Sequence, residues 1–474
     1  MPVEPRLAFA TLPELGRRWR AGEFTALELT DFFLQRLETI GRDYCAVVTI
    51  TADRAREDAR RADAERKRGL DRGPLHGIPY GAKDLLNTAG VPTSWGAGPL
   101  RDRTPDADAT VIRKLSEAGA ILVAKLAMVE LAGGFGYRQA DCTFSGITGN
   151  AWNRDRWAGG SSSGPGTAVA AGLTPFAIGS ETWGSIMTPA GYNGISGLRP
   201  TYGRVSRHGA MALSWSMDKL GPLARTAEDC SLVLAAIAGA DFDDDTAVPL
   251  EFRHAPVGGE PRFRLATLKE AADKVQPEVR ANYEKSLEVL KPFATFEEIT
   301  LPDFPYSAVA GTIISCEMAA AFEDFIAEGQ VWELTAPEDR WGGHSGLTIP
   351  AKDYINALRI RRKLQRELDA WIAPFDAIVS PTLTTVAGPN DRPFAEWSRG
   401  YVNSSIGAAA NAAGLPGITV LNGFGQDGLP TGLQFTSRAF AENRLLAVAQ
   451  KYQQVTDWHT RTPDLTTATG KSSK

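Results

Sequence analysis

The stretch 157–200, WAGGSSSGPGTAVAAGLTPFAIGSETWGSIMTPAGYNGISGLRP, constrains this chain more than any other. It sets three consecutive serines, Ser161 to Ser163, among glycines. An Ala/Val run that reads as a short helix follows, and then an isolated serine, Ser185, after Trp183 and Gly184. Glycines beside a serine let the backbone approach a bound group and turn its amide N–H donors towards it. Such a loop suits a developing oxyanion. A linker does not carry Trp and Phe at its edges, so the stretch reads as the floor of a catalytic site.

Around that floor, strand-like runs alternate with helical periods. Thr11–Glu14 and Thr25–Glu28 have capping-box spacing, and the second precedes apolar residues on a helical period. Residues 44–50 read as a strand, 52–69 as a solvated helix, 120–125 as a buried strand, and Thr226 as the entry to a helix. Further strands are expected in RFRLATL, DAIVSP, GITVLN and TGLQFT. Helices are expected at 278–291, 305–326, 352–372, 401–413 and 441–455, a polar loop around Trp341 to His344, and a frayed tail TTATGKSSK. The interspersed pattern predicts a layered α/β architecture. One domain is expected over 1–474: amino-terminal helices to residue 70, a core at 71–235, a variable region around a substrate entrance at 240–350, and a return to the core at 351–474.

A net charge of −5 and a pI near 5.7 give no electrostatic reason for a nucleic-acid or anionic-membrane partner. The four cysteines stand far apart without a Cys/His cluster, so neither a disulfide framework nor a structural zinc is expected. No basic segment leads into an apolar run at the start, and a cytoplasmic enzyme is the expectation.

Two short patterns compete for the chemistry. Gly160 to Gly164 satisfies G-x-S-x-G, with Ser162 as nucleophile, but NRDRWA before it is too polar for the buried strand that a nucleophile elbow needs. Ser216-Met-Asp-Lys219 satisfies S-x-x-K, yet no K-T-G element accompanies it. What remains is a hydrolase whose base is a lysine. A serine hydroxyl is a weak nucleophile until its proton is taken, and a lysine can take it only if burial lowers its pKa from about 10.4 towards neutrality. Lys83, in GIPYGAKDLL, has apolar surroundings that permit this, though Asp84 would oppose it if the two side chains met.

Taken together, GIPYGAKD, AGGSSSGPGTAVAAG, GSETWGSIMTPA and GLRPTYGRVSRHG resemble the amidase signature family of Ser–Ser–Lys amide hydrolases. The likeness extends through DKLGPLARTAED to the carboxy-terminal strands. The resemblance implies a large twisted mixed β-sheet flanked by helices on both faces. It also implies Ser185 as the acyl-forming nucleophile, Ser161 as the bridging serine after a cis Gly160–Ser161 bond, and Lys83 as general base. Backbone N–H groups of Thr182, Trp183, Gly184 and Ser185 would form the oxyanion hole, with no metal or organic cofactor.

Three departures stand out against the family pattern. The loop has Ser163-Gly164-Pro165 in place of paired glycines, which a helix's first turn tolerates. Glu181 and Trp183 replace Asp and Gly. Met187 and Thr188 stand where many members carry an arginine that would pair with a substrate carboxylate. With Phe135 and Tyr137, Trp183 and Met187 suggest an apolar pocket, and hence aryl or apolar amides, esters or carbamates as small-molecule substrates without nucleic acid or membrane. The alternative is an A-type amidotransferase component supplying ammonia to a charged tRNA in a complex.

Overall fold

The computed structural model describes residues 3–402 and 406–465. Eleven strands form one mixed sheet: β1 Val47–Ile50, β2 Pro79–Lys83, β3 Ile121–Leu126, β4 Phe176–Glu181, β5 Ser196–Arg199, β6 Lys219–Ala224, β7 Phe263–Leu268, β8 Ala294–Ile299, β9 Ala377–Pro381, β10 Gly417–Phe424 and β11 Pro430–Thr436. Their order across the sheet is β1-β3-β2-β4-β6-β5-β10-β11-β9-β7-β8. β2 runs parallel to both β3 and β4, the centre from β4 to β9 is antiparallel, and β7 runs parallel to β8 and β9.

Every residue of β2, β3, β4, β5, β6 and β11 is buried, on both faces of the pleat. A sheet can bury both faces only when other layers cover each of them, which gives the α/β/α arrangement. β7 and β8, from the region expected to be variable, extend this same sheet at its edge.

Of the two stretches with capping-box spacing, Thr11–Glu14 forms only the half in which Thr11 accepts from Glu14 N–H. Thr25 and Glu28 close a reciprocal box at the start of the helix Ala26–Arg36, and Thr226 with Asp229 does the same for Ala227–Ile237. The helix expected over 401–413 begins at Ile406, with residues 403–405 outside the described residues, and two further segments differ more. The apolar run 305–326 is broken at Phe322 into the helices Tyr306–Ala321 and Glu323–Ala327, and the polar stretch with Trp341 and His344 is a helix, Asp339–Gly346. Gly342 lies against the Phe135 backbone, so this helix is held by tertiary packing that its local composition does not announce. The tail TTATGKSSK lies outside the described residues.

Candidate active site

Lys83 is the last residue of β2. The pairings Gly81–Ala177 and Ala82–Ile178 carry it alongside the end of β4. There its Nζ donates to Ser161 Oγ at 2.7 Å and to Ser180 Oγ at 2.9 Å. Lys83 has no solvent exposure. Burial lowers its pKa to about 7, while the more distant Asp218 and Glu181 pull it back up. Asp84 takes no part: it accepts from Ser94 N at 2.9 Å and faces Lys125 Nζ at 3.5 Å.

Ser161 follows a cis Gly160–Ser161 bond and precedes the helix Ser163–Ala170. Ser162, the G-x-S-x-G candidate, is fully buried. Its Oγ donates to Ser180 O at 3.2 Å and accepts from Ser180 N at 3.3 Å, so it clamps β4 to the serine loop and faces no cavity as a nucleophile would. The Ser162 N–H donates to Ser185 O at 3.2 Å and ties the two serine segments together. Pro165 sits in the helix's first turn, where its missing N–H costs no hydrogen bond.

Beyond β4 the chain turns through Thr182-Trp183-Gly184 to Ser185 and enters the helix Met187–Asn193. Gly184 has φ +85°, a conformation that other residues rarely adopt. Glu181 Oε2 accepts from the N–H groups of Ile186 and Met187 at 2.9 and 3.0 Å, and Thr188 N–H donates to Gly184 O. Among the described residues, the Trp183, Gly184 and Ser185 N–H groups have no internal acceptor.

A buried charge cluster supports this turn. Glu181 Oε1 pairs with Arg199 Nη1 at 2.8 Å, both essentially without exposure. Burial opposes the Glu181 charge, yet Arg199 and then Lys219 hold its pKa at about 2. The residues opening β6 grip Thr182: Asp218 accepts from its hydroxyl, and Lys219 Nζ donates to its carbonyl at 3.2 Å and to Asn411 Oδ1 at 3.0 Å. Lys219 thus serves the turn and makes no bond to Ser216. Burial, with Arg199, lowers its pKa to about 7.

A cavity of about 360 Å³ opens beside the turn between Gly184 and Thr188. Trp183, Met187, Leu383 and Ile406 form apolar parts of its wall, whereas Arg199, Asn411, Gln434 and Thr382 are polar. Ala271, Val275 and Ser307 come to it from the 240–350 region. Of the four residues expected to line a pocket, Trp183 and Met187 do so. Phe135 packs edge-on against Phe322, and Tyr137 against Trp157 and Phe394, away from this cavity. Sequence reasoning passed over Ser180 and Arg199, and met Asp218 and Lys219 only inside the S-x-x-K pattern; the local signal for Ser180, Arg199 and Lys219 is that they stand in strands beside the serine segments. No cluster of three or more His, Cys, Asp or Glu suited to a metal occurs among the described residues, nor any helix long and apolar enough to cross a membrane.

The sheet and the sequence it carries define an enzyme acting on carbon–nitrogen bonds. A family model described as Amidase matches residues 28–446, and the chain belongs to the amidase signature family. The A subunit of the glutamyl-tRNA(Gln) amidotransferase of Roseiflexus sp. (strain RS-1) is 38% identical over 96% of this chain and 98% of its own length. The corresponding protein of Azotobacter vinelandii, which bears the same name, is 36% identical over 96% and 99%. The solved peptide amidase of Stenotrophomonas maltophilia is 32% identical with a TM-score of 0.81, over 94% of this chain and 97% of that one.

These relatives overturn the expectation of no nucleic-acid partner, since full-length curated relatives are subunits of an enzyme named for a transfer RNA. That expectation rested on net charge, which averages over the surface. The helix Ala351–Ile372 alone exposes Lys352, Arg359, Arg362, Lys363 and Arg366.

Proposed function

We propose that this chain cleaves an amide C–N bond through an acyl-enzyme on Ser185. Neutral Lys83 takes the Ser161 proton while Ser161 takes the proton of Ser185, whose Oγ bonds to the carbonyl carbon. The N–H groups of Trp183, Gly184 and Ser185, with Thr182, receive the oxyanion; each such donor contributes on the order of a hundredfold in rate. Ser161 returns a proton to the leaving nitrogen as the C–N bond breaks. Water then adds to the acyl carbon by the same relay and frees Ser185. The observation that carries this reading is the 2.7 Å contact between Lys83 and Ser161, two side chains without solvent exposure.

Two settings share this chemistry. The fuller support is for an A-type amidotransferase component, whose released ammonia passes to a partner acting on a charged tRNA, because the curated relatives with that name span nearly the whole chain. A free-standing amidase is favoured by the likeness to peptide amidase. The aryl-amide, ester and carbamate readings rest on Trp183 and Met187 alone, and the polar part of the cavity wall weighs against them.

Ammonia release from glutamine, asparagine, a peptide amide and an aryl-alkyl primary amide, measured with wild type and Ser185→Ala, tests the reading. Turnover lost in the variant supports it, and turnover that survives refutes it. A chain that works alone at full rate points to the free-standing amidase, and activity that needs partner proteins points to the amidotransferase.

A further inference from the structure

Arg199 ends β5 with its side chain 1% exposed. Nη1 is paired with Glu181 at 2.8 Å and Nε donates to Leu415 O at 3.0 Å, but Nη2 has no hydrogen-bond partner among the described residues. A buried guanidinium N–H without a protein acceptor is costly unless something else accepts from it. Arg199 also lines the cavity beside the turn that carries Ser185, together with its partner Glu181 and with Met187, Thr188 and Gln434. The unpaired nitrogen and the cavity belong to one place.

The strand opposite keeps room there. A Cβ on Gly417 of β10 would stand 2.9 Å from Arg199 Nη2 and 3.1 Å from Met187 Cε, so any side chain at 417 would press on the guanidinium. The Glu181 carboxylate does not reach Nη2: its Oε1 accepts from Nη1, and its Oε2 accepts from the N–H groups of Ile186 and Met187. A ligand in the cavity can supply the acceptor. A planar guanidinium with a free N–H₂ edge is suited to a carboxylate.

We infer that Arg199 anchors an acyl-side subsite: its Nη2 receives a carboxylate carried by the acyl portion of the amide substrate, so the enzyme takes monoamides of dicarboxylic acids or amino-acid amides of that shape. The cation missing at positions 187 and 188 is supplied from β5. The flexible Met187 thioether is the part of the wall that gives way as the carboxylate enters. This deepens the proposed function by taking the cavity as the acyl site, but it concerns binding and does not depend on turnover.

Calorimetric binding to the full chain carrying Ser185→Ala tests it with three ligands: succinamate, glutaramate and pentanamide, the last lacking the carboxylate. At least one carboxylate ligand is expected to bind tenfold or more tightly than pentanamide. Adding Arg199→Lys, which keeps a cation for Glu181 and removes Nη2, is expected to cut that preference at least fivefold. Gly417→Ala, which places a methyl against Nη2, gives the same loss if the lysine variant does not fold. Equal or tighter binding of pentanamide, a preference unchanged by either substitution, or no binding of either carboxylate at 10-fold the concentration of a typical ~1 mM KM overturns the inference. Failure of the wild type to hydrolyse any amide would instead sink the proposed reaction and leave this binding result standing on its own.

Discussion

Lys83 and Asp84 are neighbours in sequence and serve different partners. The lysine turns to Ser161 and Ser180, whereas the aspartate turns to Ser94 and Lys125. Successive residues of an extended strand point to opposite sides, so the carboxylate that could have held Lys83 in its charged form is directed away from it. Lys83 is left with hydroxyl partners and a dry environment, and its pKa falls to about 7.

The first expectation concerns pH. Only the neutral amine can accept a proton, and its fraction grows as pH rises through the lysine pKa. Consequently kcat/KM should climb with pH through about 7 and then level off. Lys83→Arg, which stays protonated, should lose on the order of a thousandfold or more at every pH. Lys219 has a similar pKa, so retention of the inflection in Lys219→Gln assigns it to Lys83. A rate-versus-pH series on the three proteins checks this.

Ser180 should matter although it is neither nucleophile nor bridge. Its hydroxyl accepts from Lys83 Nζ at 2.9 Å and helps aim the amine at Ser161. Ser180→Ala removes an acceptor that favours the ammonium form. The expected result is a loss of roughly tenfold in kcat, from about 1–1.5 kcal/mol of hydrogen bonding, with the pH inflection moved down. An inflection moved up in a steady-state profile would contradict the assignment.

Glu181→Ala leaves Arg199 buried without its carboxylate and frees the N–H groups of Ile186 and Met187. Removing one partner of a buried pair costs about 3–5 kcal/mol, and denaturant unfolding should show a loss of that size. Activity should fall as well, because the turn before Ser185 loses its anchor.

At Gly164 the limit is space. A Cβ there would lie 2.4 Å from Ala127 N and 2.6 Å from the Ala127 and Ala46 carbonyl oxygens, all backbone atoms that cannot swing aside. Gly164→Ala should therefore destabilise by at least about 1–3 kcal/mol in thermal or denaturant unfolding. Pro165→Ala, one residue on, should stay within about 1 kcal/mol.

Much of this architecture is legible in the sequence because its signals are local. Capping boxes mark the starts of the helices at 26 and 227, and β-branched runs mark β3 and β10. The strands that position the site are harder to read. β2 contains Pro79 and Gly81, and β6 contains Gly221 and Pro222, residues that argue against a central strand. Their glycines answer to neighbours distant in sequence: a Cβ on Gly81 would strike Leu126, and one on Gly221 would strike Leu198 O. Lys83, Ser161 and Ser185 were legible as a pattern of motifs. Arg199 was not, and Lys219 stood out only as part of an S-x-x-K pattern, because the roles of both come from the strand order that sets β4 and β5 on either side of β6. The apolar substrate expectation failed to weigh Arg199 for the same reason.

The central claim is that Ser185 is acylated with Lys83 as the base behind Ser161. The most direct test is intact-mass and peptide-mass analysis of the protein treated with a serine-reactive fluorophosphonate at pH 6, 7 and 8. The account predicts a single adduct on Ser185 that forms faster as pH rises through about 7 and that is all but abolished in Lys83→Ala and Ser161→Ala. An adduct on Ser162 or Ser216, or labelling of Ser185 at an unchanged rate without Lys83, would contradict it.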